Sequence, residues 1–295
     1  MSQTLRRDAT AAFADAFDRL GEADYTRIAA LVGRHTGIRL PPAKQVMVEG
    51  RLRRRARATG YASLDEYCDY LFHGGGLDRE FTHLLNAITT NKTDFFREPE
   101  HFTFLTERML PELIKMRRQH GGPTTVKLWS AAASTGAEAY TIAMVMADIA
   151  GSRRDLDFAI LGTDISTDVL VQARLGIYSA EVVAPVPEQM ARRYLMRGHS
   201  PRRRAEFRIV PELRRRVRFV QLNLMDESYP FDRDMDVIFV RNVLIYFDRP
   251  TQGAVARRLA QHLRPGGFLV FGHSESTIGS GLQLRQRAPA VFQRI

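Results

Sequence analysis

The sequence predicts an α/β protein preceded by an all-helical segment, and three observations carry that expectation. From about residue 124 onward, strand-like runs alternate with helical ones, the texture of a mostly parallel sheet with helices on its faces. Up to about residue 88 every periodic segment is helical and none is β-rich. Between these parts, the β-type run Val126-Lys127-Leu128-Trp129-Ser130 passes into six consecutive Ala, Ser, Thr or Gly residues, 131–136, and then into a helical pattern. Small residues at the carboxyl end of a first strand let backbone approach a ligand, and the helix start offers N–H groups without partners. In open α/β sheets such a crevice holds nucleotide-like cofactors. The loop is not G-x-G-x-x-G and its one glycine is Gly136, so a dinucleotide pyrophosphate fits poorly. A tight strand-to-helix turn without a ligand is the competing reading.

In the helical part, helices are expected over 24–36, 41–59, 63–73 and 77–90. Pro41-Pro42 opens the second and Gly60 closes it. Ser63-x-x-Glu66 has the spacing of a capping box for the third, and Gly74-Gly75-Gly76 separates the third from the fourth. The α/β part offers strands at 125–131, 157–164, 217–222, 235–241 and 267–273, with helices at 137–150, 166–175 and 251–263. In the first of these helices Tyr140, Ile142, Ala143, Val145, Met146 and Ile149 mark an apolar face. Residues 283–294 break near Pro289 and suggest an antiparallel hairpin at the sheet edge. The domains are therefore expected at 1–88, 89–123 (a linker and connecting helix) and 124–295. Residues 176–216 are long for a connection, contain four prolines and include Arg202-Arg203-Arg204, so they carry structure or function of their own.

Composition narrows the classes. The 295 residues are 44% hydrophobic and 26% charged, as in ordinary globular proteins. No apolar run is long enough to cross a bilayer and the N-terminal residues lack a signal-peptide core, which predicts a cytosolic protein without membrane insertion. The single cysteine, Cys68, excludes an intramolecular disulfide and a cysteine-based metal site. A net charge of +10 suits nucleic acid, an anionic membrane surface or an acidic protein.

Several polar groups fall where strands should emerge. Asp164 ends the second strand, placed to accept hydrogen bonds from two ribose hydroxyls, or else to cap the helix beginning near Ser166. The apolar run Met235-Asp236-Val237-Ile238-Phe239-Val240 is followed by Arg241, Asn242 and Tyr246, and the third strand ends in Gln221-Leu222-Asn223-Leu224. The joining segment, Thr89-Thr90-Asn91-Lys92-Thr93-Asp94-Phe95-Phe96-Arg97-Glu98, concentrates hydroxyl, amide and guanidinium groups beside two aromatics that pack between domains or touch a ligand. No Ser-His-Asp or Cys-His arrangement, H-E-x-x-H, P-loop or other metal-ligand set is identifiable. A nucleotide-type pocket without a base or nucleophile suits an acceptor that is already reactive. Methyl transfer from a sulfonium to an ionised carboxylate is such a reaction, because carboxyl groups are deprotonated at neutral pH.

TTNKTDFFRE, LWSAAASTGAEAY, GTDIS and RNVLIYF, in this order, resemble the CheR family of chemoreceptor glutamate methyltransferases, and the likeness runs from about residue 25 to 290. The resemblance implies an α-helical N-terminal domain, a linker, and a class I S-adenosylmethionine-dependent methyltransferase fold, Rossmann-like, with a small antiparallel β-subdomain at about 176–216. It implies S-adenosyl-L-methionine as cofactor, with S-adenosyl-L-homocysteine as product. Carried over by position, it implies cofactor contacts at Asn91, Thr93, Arg97, Glu138, Asp164, Asn223, Leu224, Arg241 and Asn242. Glu138 would hold the methionine end, and Arg97 and Tyr246 would orient the acceptor carboxylate. The family often has two acidic residues and then Pro after the loop glycine; Ala137-Glu138-Ala139 keeps only the second acid. In some members the β-subdomain docks a short peptide from the receptor's C-terminus; here Met196-Arg197-Gly198 is the most similar stretch.

Five arginines, Arg51, Arg53, Arg54, Arg55 and Arg57, crowd one predicted helix. At about 100° per residue Val48, Leu52 and Ala56 form its narrow apolar stripe. The arginines are either a solvated face or a docking surface for an acidic receptor helix bundle, as the family resemblance implies. Two other functions compete. The charge of +10 invites a nucleic-acid methyltransferase, but Arg241-Asn242-Val243-Leu244 stands where amino-group DNA methyltransferases place a Pro-Pro-aromatic motif. A non-catalytic cofactor-binding scaffold would require a decayed pocket. A monomer is the default assembly.

Overall fold

A computed structural model describes residues 18–118, 124–153, 155–198 and 205–295. The chain divides into two compact units, one ending at Thr90 and the other spanning Asn91–Ile295.

The first unit is helical: α1 (Glu22–Thr36), a 3-10 turn (Pro42–Lys44), α2 (Gln45–Ala58), α3 (Leu64–Phe72) and α4 (Leu77–Ile88). Acidic Glu22 and Asp24 in the first turn of α1, and Arg34 and His35 in its last, suit the helix dipole, and Gly37 at φ 72° ends it. Ile28, Val32, Val48, Leu52, Leu64, Leu71 and Leu84 are buried together with Tyr67. The expected capping box is half formed. Ser63 accepts from the Glu66 N–H (3.2 Å), but the Glu66 carboxylate accepts from the Ala62 N–H (2.9 Å) instead of reaching the cap residue. Glu80 is the buried ion of this unit: Arg55 bonds both its oxygens at 2.7 Å and the Tyr67 hydroxyl donates at 2.9 Å. The Arg55 bonds hold the Glu80 carboxyl below its usual range against the opposing effect of burial.

The second unit begins with α5 (Glu100–Phe104), a π-helical turn (Leu105–Met109) and α6 (Leu110–Arg118). There follow β1 (Thr124–Ala131), α7 (Ala137–Gly151), β2 (Leu156–Asp164) and α8 (Thr167–Leu175). Next come β3 (Ile177–Ser179), α9 (Ala180–Val183), α10 (Glu188–Tyr194), β4 (Leu195–Arg197), β5 (Glu206–Ile209) and α11 (Pro211–Arg214). The chain closes with β6 (Val217–Gln221), β7 (Met235–Val240), α12 (Arg249–His262), β8 (Leu263–Phe271), β9 (Leu284–Ala288) and β10 (Val291–Arg294).

Seven strands form one sheet in the order β6-β2-β1-β7-β8-β10-β9. The first five are parallel, and β10 runs antiparallel to both β8 and β9. This is the expected edge hairpin on a mostly parallel sheet. All six residues of β7 are buried, as a central strand covered on both faces must be. Helix α7 departs from the one-faced pattern expected of it: every residue from Ala139 to Met146 is buried, because the helix is enclosed by the sheet and α11. Between α8 and β6, a separate antiparallel sheet has the order β3-β5-β4. Sequence periodicity alone left this region unassigned, since strands of three or four residues show no measurable alternation. The Arg202-Arg203-Arg204 stretch lies outside the described residues.

At the amino end of β7, Asp236 is fully buried and accepts from both Arg117 nitrogens (2.7 and 3.1 Å) and from the Lys127 N–H (2.8 Å). It ties α6 to the sheet and lies at the end opposite to the ligand crevice.

Candidate functional site

The order of the sheet locates the crevice. From β1 the chain winds outward through β2 and β6 on one side, then crosses to β7 and β8 on the other. The switch point therefore lies between the carboxyl ends of β1 and β7, where Ala131 is paired with Val240. Backbone conformation gives a second indication. Among the described residues six non-glycine residues have positive φ, and five of them, Phe96, Glu98, Ala132, Ser134 and Asn242, lie in the segments that meet at this edge. Such conformations cost energy and persist where surrounding contacts over-determine them, as at binding sites.

The loop after β1 needs its glycine. Gly136 has φ +89°, and a Cβ there would lie 3.0 Å from both the Ala173 Cβ and the Phe219 Cζ. The turn thus presses against α8 and β6, and α7 starts directly from it.

Asp164, at the tip of β2, is 7% exposed. One carboxylate oxygen accepts from the Ser134 N–H (2.8 Å), the other from the Ser166 N–H (2.9 Å). Helix entry and loop anchoring are therefore both served by this residue. The two oxygens offer four lone pairs to the N–H groups of Ser134, Ser166 and Ile165, so an acceptor position remains for a ligand hydroxyl. Burial raises the Asp164 carboxyl, and the backbone N–H groups of Ser166, Ser134 and Ile165 oppose that.

Arg241, with 2% of its side chain exposed, clamps the crevice from the end of β7. One terminal nitrogen donates to Glu138 (3.0 Å), the other to Glu98 (3.0 Å) and to the Arg97 carbonyl. The Ser130 hydroxyl fixes the other Glu138 oxygen at 2.7 Å, and the Asn242 amide fixes the other Glu98 oxygen at 3.1 Å. Burial opposes ionisation of Glu98, but the bonds from Asn242 and Arg241 win and hold its carboxyl below the usual range. Asn242 sits at φ 58° because buried Glu275 accepts from its N–H (2.7 Å) and from those of Gly272 (2.9 Å) and Ile245 (3.2 Å). Two carboxylates face one guanidinium, so with Asp164 the crevice carries net negative charge. The buried Nε of Arg241 has no hydrogen-bond partner among the described residues. A cationic ligand with a small acceptor group of its own suits this donor set.

Of the residues expected in the site, Arg97, Glu138, Arg241 and Asn242 meet in the clamp. The Asn91 carbonyl accepts from the Ser134 hydroxyl at 2.8 Å, and Thr93 lies half-buried in the same segment. Past β6, the Asn223 side chain accepts from the Met225 N–H (3.0 Å), and buried Leu224 accepts from the Tyr229 hydroxyl (2.9 Å). The Arg97 side chain is half-buried and has no hydrogen-bond or ion-pair partner among the described residues. Tyr246 is half-buried at the end of a 3-10 turn, Leu244–Tyr246, that follows β7. Phe95 and Phe96 pack within the second unit, against Tyr178 (5.1 Å) and Phe102 (5.9 Å). Glu98, Ser130 and Glu275 also belong to the site, and no sequence motif marks their roles. Glu98 stood in the polar stretch next to Arg97, whereas Glu275 had no signal beyond lying just after a strand.

His101 lies beside the clamp with both ring nitrogens buried and without a hydrogen bond among the described residues, Nδ1 standing 3.5 Å from a Glu98 carboxylate oxygen. Burial first, then the Arg241 charge, pushes it down to about 4. It stacks edge-on with His273 at 4.9 Å, and with Glu98 the two histidines bring three donor groups within 4.8 Å. Both Glu98 oxygens are already bonded and the adjacent guanidinium repels a metal cation, so the set is a poor metal site. The depressed His101 value has a consequence for stability. Between 6.5 and about 4 the unfolded chain binds more protons at this residue than the folded one, so this share of stability is present above pH 6.5 and is lost on acidification. His101→Gln is expected to flatten that acid limb in urea melts at pH 7 and 5; parallel losses in both proteins would rule out this role.

The helix carrying five arginines lies in the first unit, and Arg51, Arg53 and Arg55 are bonded inside it, so part of the expected arginine face is engaged by the unit's own groups. Arg51 donates to the Ile88 and Thr89 carbonyls (2.6 and 2.9 Å), closing α4. Arg53 donates to the Asp18 carbonyl (2.6 and 2.9 Å), and Arg55 is the Glu80 partner. Arg54 and Arg57 are exposed.

Comparison with known proteins agrees with this architecture. Residues 23–89 match the family model of the CheR methyltransferase all-alpha domain, and residues 91–288 that of the CheR methyltransferase SAM-binding domain. The chain is 39% identical over 260 residues to the chemotaxis protein methyltransferase of Escherichia coli, covering 87% of this chain and 85% of that one. It is 38% identical over 275 residues to the Salmonella typhimurium protein of the same name (92% and 90%). With the Borreliella burgdorferi chemotaxis protein methyltransferase the identity is 34% over 272 residues (92% and 94%).

Proposed function

Because the chain belongs to the CheR methyltransferase family, with S-adenosylmethionine as cofactor, we propose that it methylates glutamate side chains on chemoreceptors, forming glutamyl methyl esters. The observation that carries this reading is the Arg241 clamp, with Glu98 and Glu138 on its two terminal nitrogens and its Nε unpaired in a negatively charged crevice. The carboxylates suit the ammonium and sulfonium charges, the Arg241 Nε suits the carboxylate of the methionine end, and Asp164 suits the ribose. When bound, the cofactor supplies a methyl group already activated for displacement by its positively charged sulfur.

The chain then has little chemistry to do. A glutamate side chain with an ordinary value near 4.3 is ionised at neutral pH, so no residue has to remove a proton from it. Both reactants lose charge on the way to ester and thioether, which makes alignment and exclusion of water the protein's main contributions. Arg97, without a partner for its guanidinium, binds one oxygen of the acceptor and leaves the other to attack; Tyr246 orients it by its hydroxyl. Asn91, Thr93, Asn223, Leu224 and Asn242 complete the cofactor's surroundings. Arg54 and Arg57 favour an acidic helical receptor surface, and the short β3-β5-β4 sheet offers open edges to a receptor C-terminal peptide.

The test is incubation with tritiated cofactor and a receptor cytoplasmic fragment, followed by alkaline hydrolysis. Label released as methanol is expected for a glutamyl ester. Base-stable label, or label found only on nucleic acid, would sink the proposal.

A further inference from the structure

On the flank of edge strand β6, away from the switch point, α7, α8 and α11 leave a cavity of about 490 Å³. Four arginines line it, Arg174, Arg214, Arg215 and Arg218, and no carboxylate does. Tyr140 and Phe219 are its aromatic lining. Among the described residues, the one carboxylate within ion-pair distance of any of the four is Glu212, 3.7 Å from Arg215 and itself 69% exposed. Three other arginines of this unit have closer acidic partners: Arg117 with Asp236, Arg241 with Glu98 and Glu138, and Arg287 with Glu112. Four guanidiniums around one concavity without compensating acid repel one another and concentrate anions.

Two of the four are pre-oriented. Arg174 donates to the Phe219 carbonyl (3.1 Å) and Arg214 to the Ile209 carbonyl (3.2 Å), which holds their stems while leaving other N–H groups for a ligand. Guanidinium forks match phosphate oxygens, and a fork already held by backbone loses less freedom on binding. Charge and size narrow the ligand. Four positive charges are largely offset by two phosphoryl groups, which together carry about three negative charges when linked as a diphosphate and up to about four when separate. The volume lies in the range of cavities that hold whole small molecules, well beyond a single inorganic phosphate.

We propose that this cavity is a second ligand site, separate from the cofactor crevice, that binds a small molecule of nucleotide size carrying two phosphoryl groups. Its position gives such a ligand a route to the reaction site. Phe219 lines the cavity, and its Cζ lies 3.0 Å from the position a Cβ on Gly136 would take, so the wall of the cavity is also the support of the loop after β1.

The experiment is isothermal titration of the full chain with inorganic pyrophosphate at fixed ionic strength, with S-adenosylhomocysteine saturating the cofactor crevice. One pyrophosphate per chain is expected, bound about tenfold or more tightly than inorganic phosphate, as two forked contacts exceed one. Arg214→Ala combined with Arg218→Ala is expected to weaken it about tenfold or more, while Arg249→Ala with Arg285→Ala, exposed elsewhere on the unit, leaves it unchanged. Should the double variant fail to fold, Arg215→Glu, whose side chain is 71% exposed, must weaken binding in the same sense. Equal binding of phosphate and pyrophosphate, or equal weakening by the remote pair, would overturn the proposal. So would displacement of pyrophosphate by a short duplex oligonucleotide at lower concentration than by ADP, since the surface would then serve nucleic acid.

Discussion

Arg97→Ala is expected to reduce methyl transfer to a receptor fragment by about a hundredfold or more while leaving S-adenosylhomocysteine affinity largely unchanged. The reason lies in how the residue is divided. Its carbonyl accepts from Arg241 and belongs to the clamp, and that contact survives any side-chain replacement. Its guanidinium has no partner among the described residues, although the segment around it is held in left-handed conformations at Phe96 and Glu98. A side chain kept half-buried on a strained backbone and left unbonded is available to an acceptor. Truncation therefore removes acceptor alignment and spares the clamp. Arg97→Lys separates charge from geometry, because an ammonium keeps attraction but cannot bond a carboxylate through a planar fork. Little recovery by lysine is expected. If product affinity fell in parallel with transfer, Arg97 would be chiefly a cofactor ligand.

The parts of this molecule legible in its sequence are those governed by local rules. The helix end at Gly60, the small-residue loop before Gly136 and the apolar run of β7 announce themselves because each position answers to its own backbone or burial. Asp164 was readable because its place at a strand tip follows from element order. Glu98 and Glu275 were not, because their importance arises from partners more than thirty residues away that only the folded sheet brings near. The arginines of α2 show what a charge run leaves unsaid. A dense run of charge reads as an exposed face, yet Arg51, Arg53 and Arg55 are claimed by carbonyls and a carboxylate from other segments. Sequence displays the charge and hides the partner.

Arg241→Met should be the most damaging single change in the crevice, and its effects separate into two measurable parts. Methionine fills much of the same volume, so the loss is mainly one of charge and hydrogen bonding. Glu98 and Glu138, only 15% and 13% exposed, would then face each other without the guanidinium between them. Removing one partner of a buried ion pair costs about 3–5 kcal/mol, because the remaining charge is stranded. Urea melts at pH 7 should show a loss of that order. In the intact protein the Arg241 and Asn242 bonds depress the Glu98 carboxyl, which stabilises the fold above the usual carboxyl range and is lost as pH falls. Without Arg241 the burial of Glu98 is less opposed and its carboxyl holds protons more readily in the folded chain, so the deficit relative to the intact protein should shrink toward pH 5. Glu98→Gln in the same chain removes one stranded charge and should recover part of the stability at pH 7. It should not restore cofactor affinity, since the Arg241 Nε proposed to meet the methionine carboxylate stays absent. A stability loss below about 1 kcal/mol with S-adenosylhomocysteine still bound tightly would mean that the clamp is neither the electrostatic centre of the crevice nor a cofactor contact.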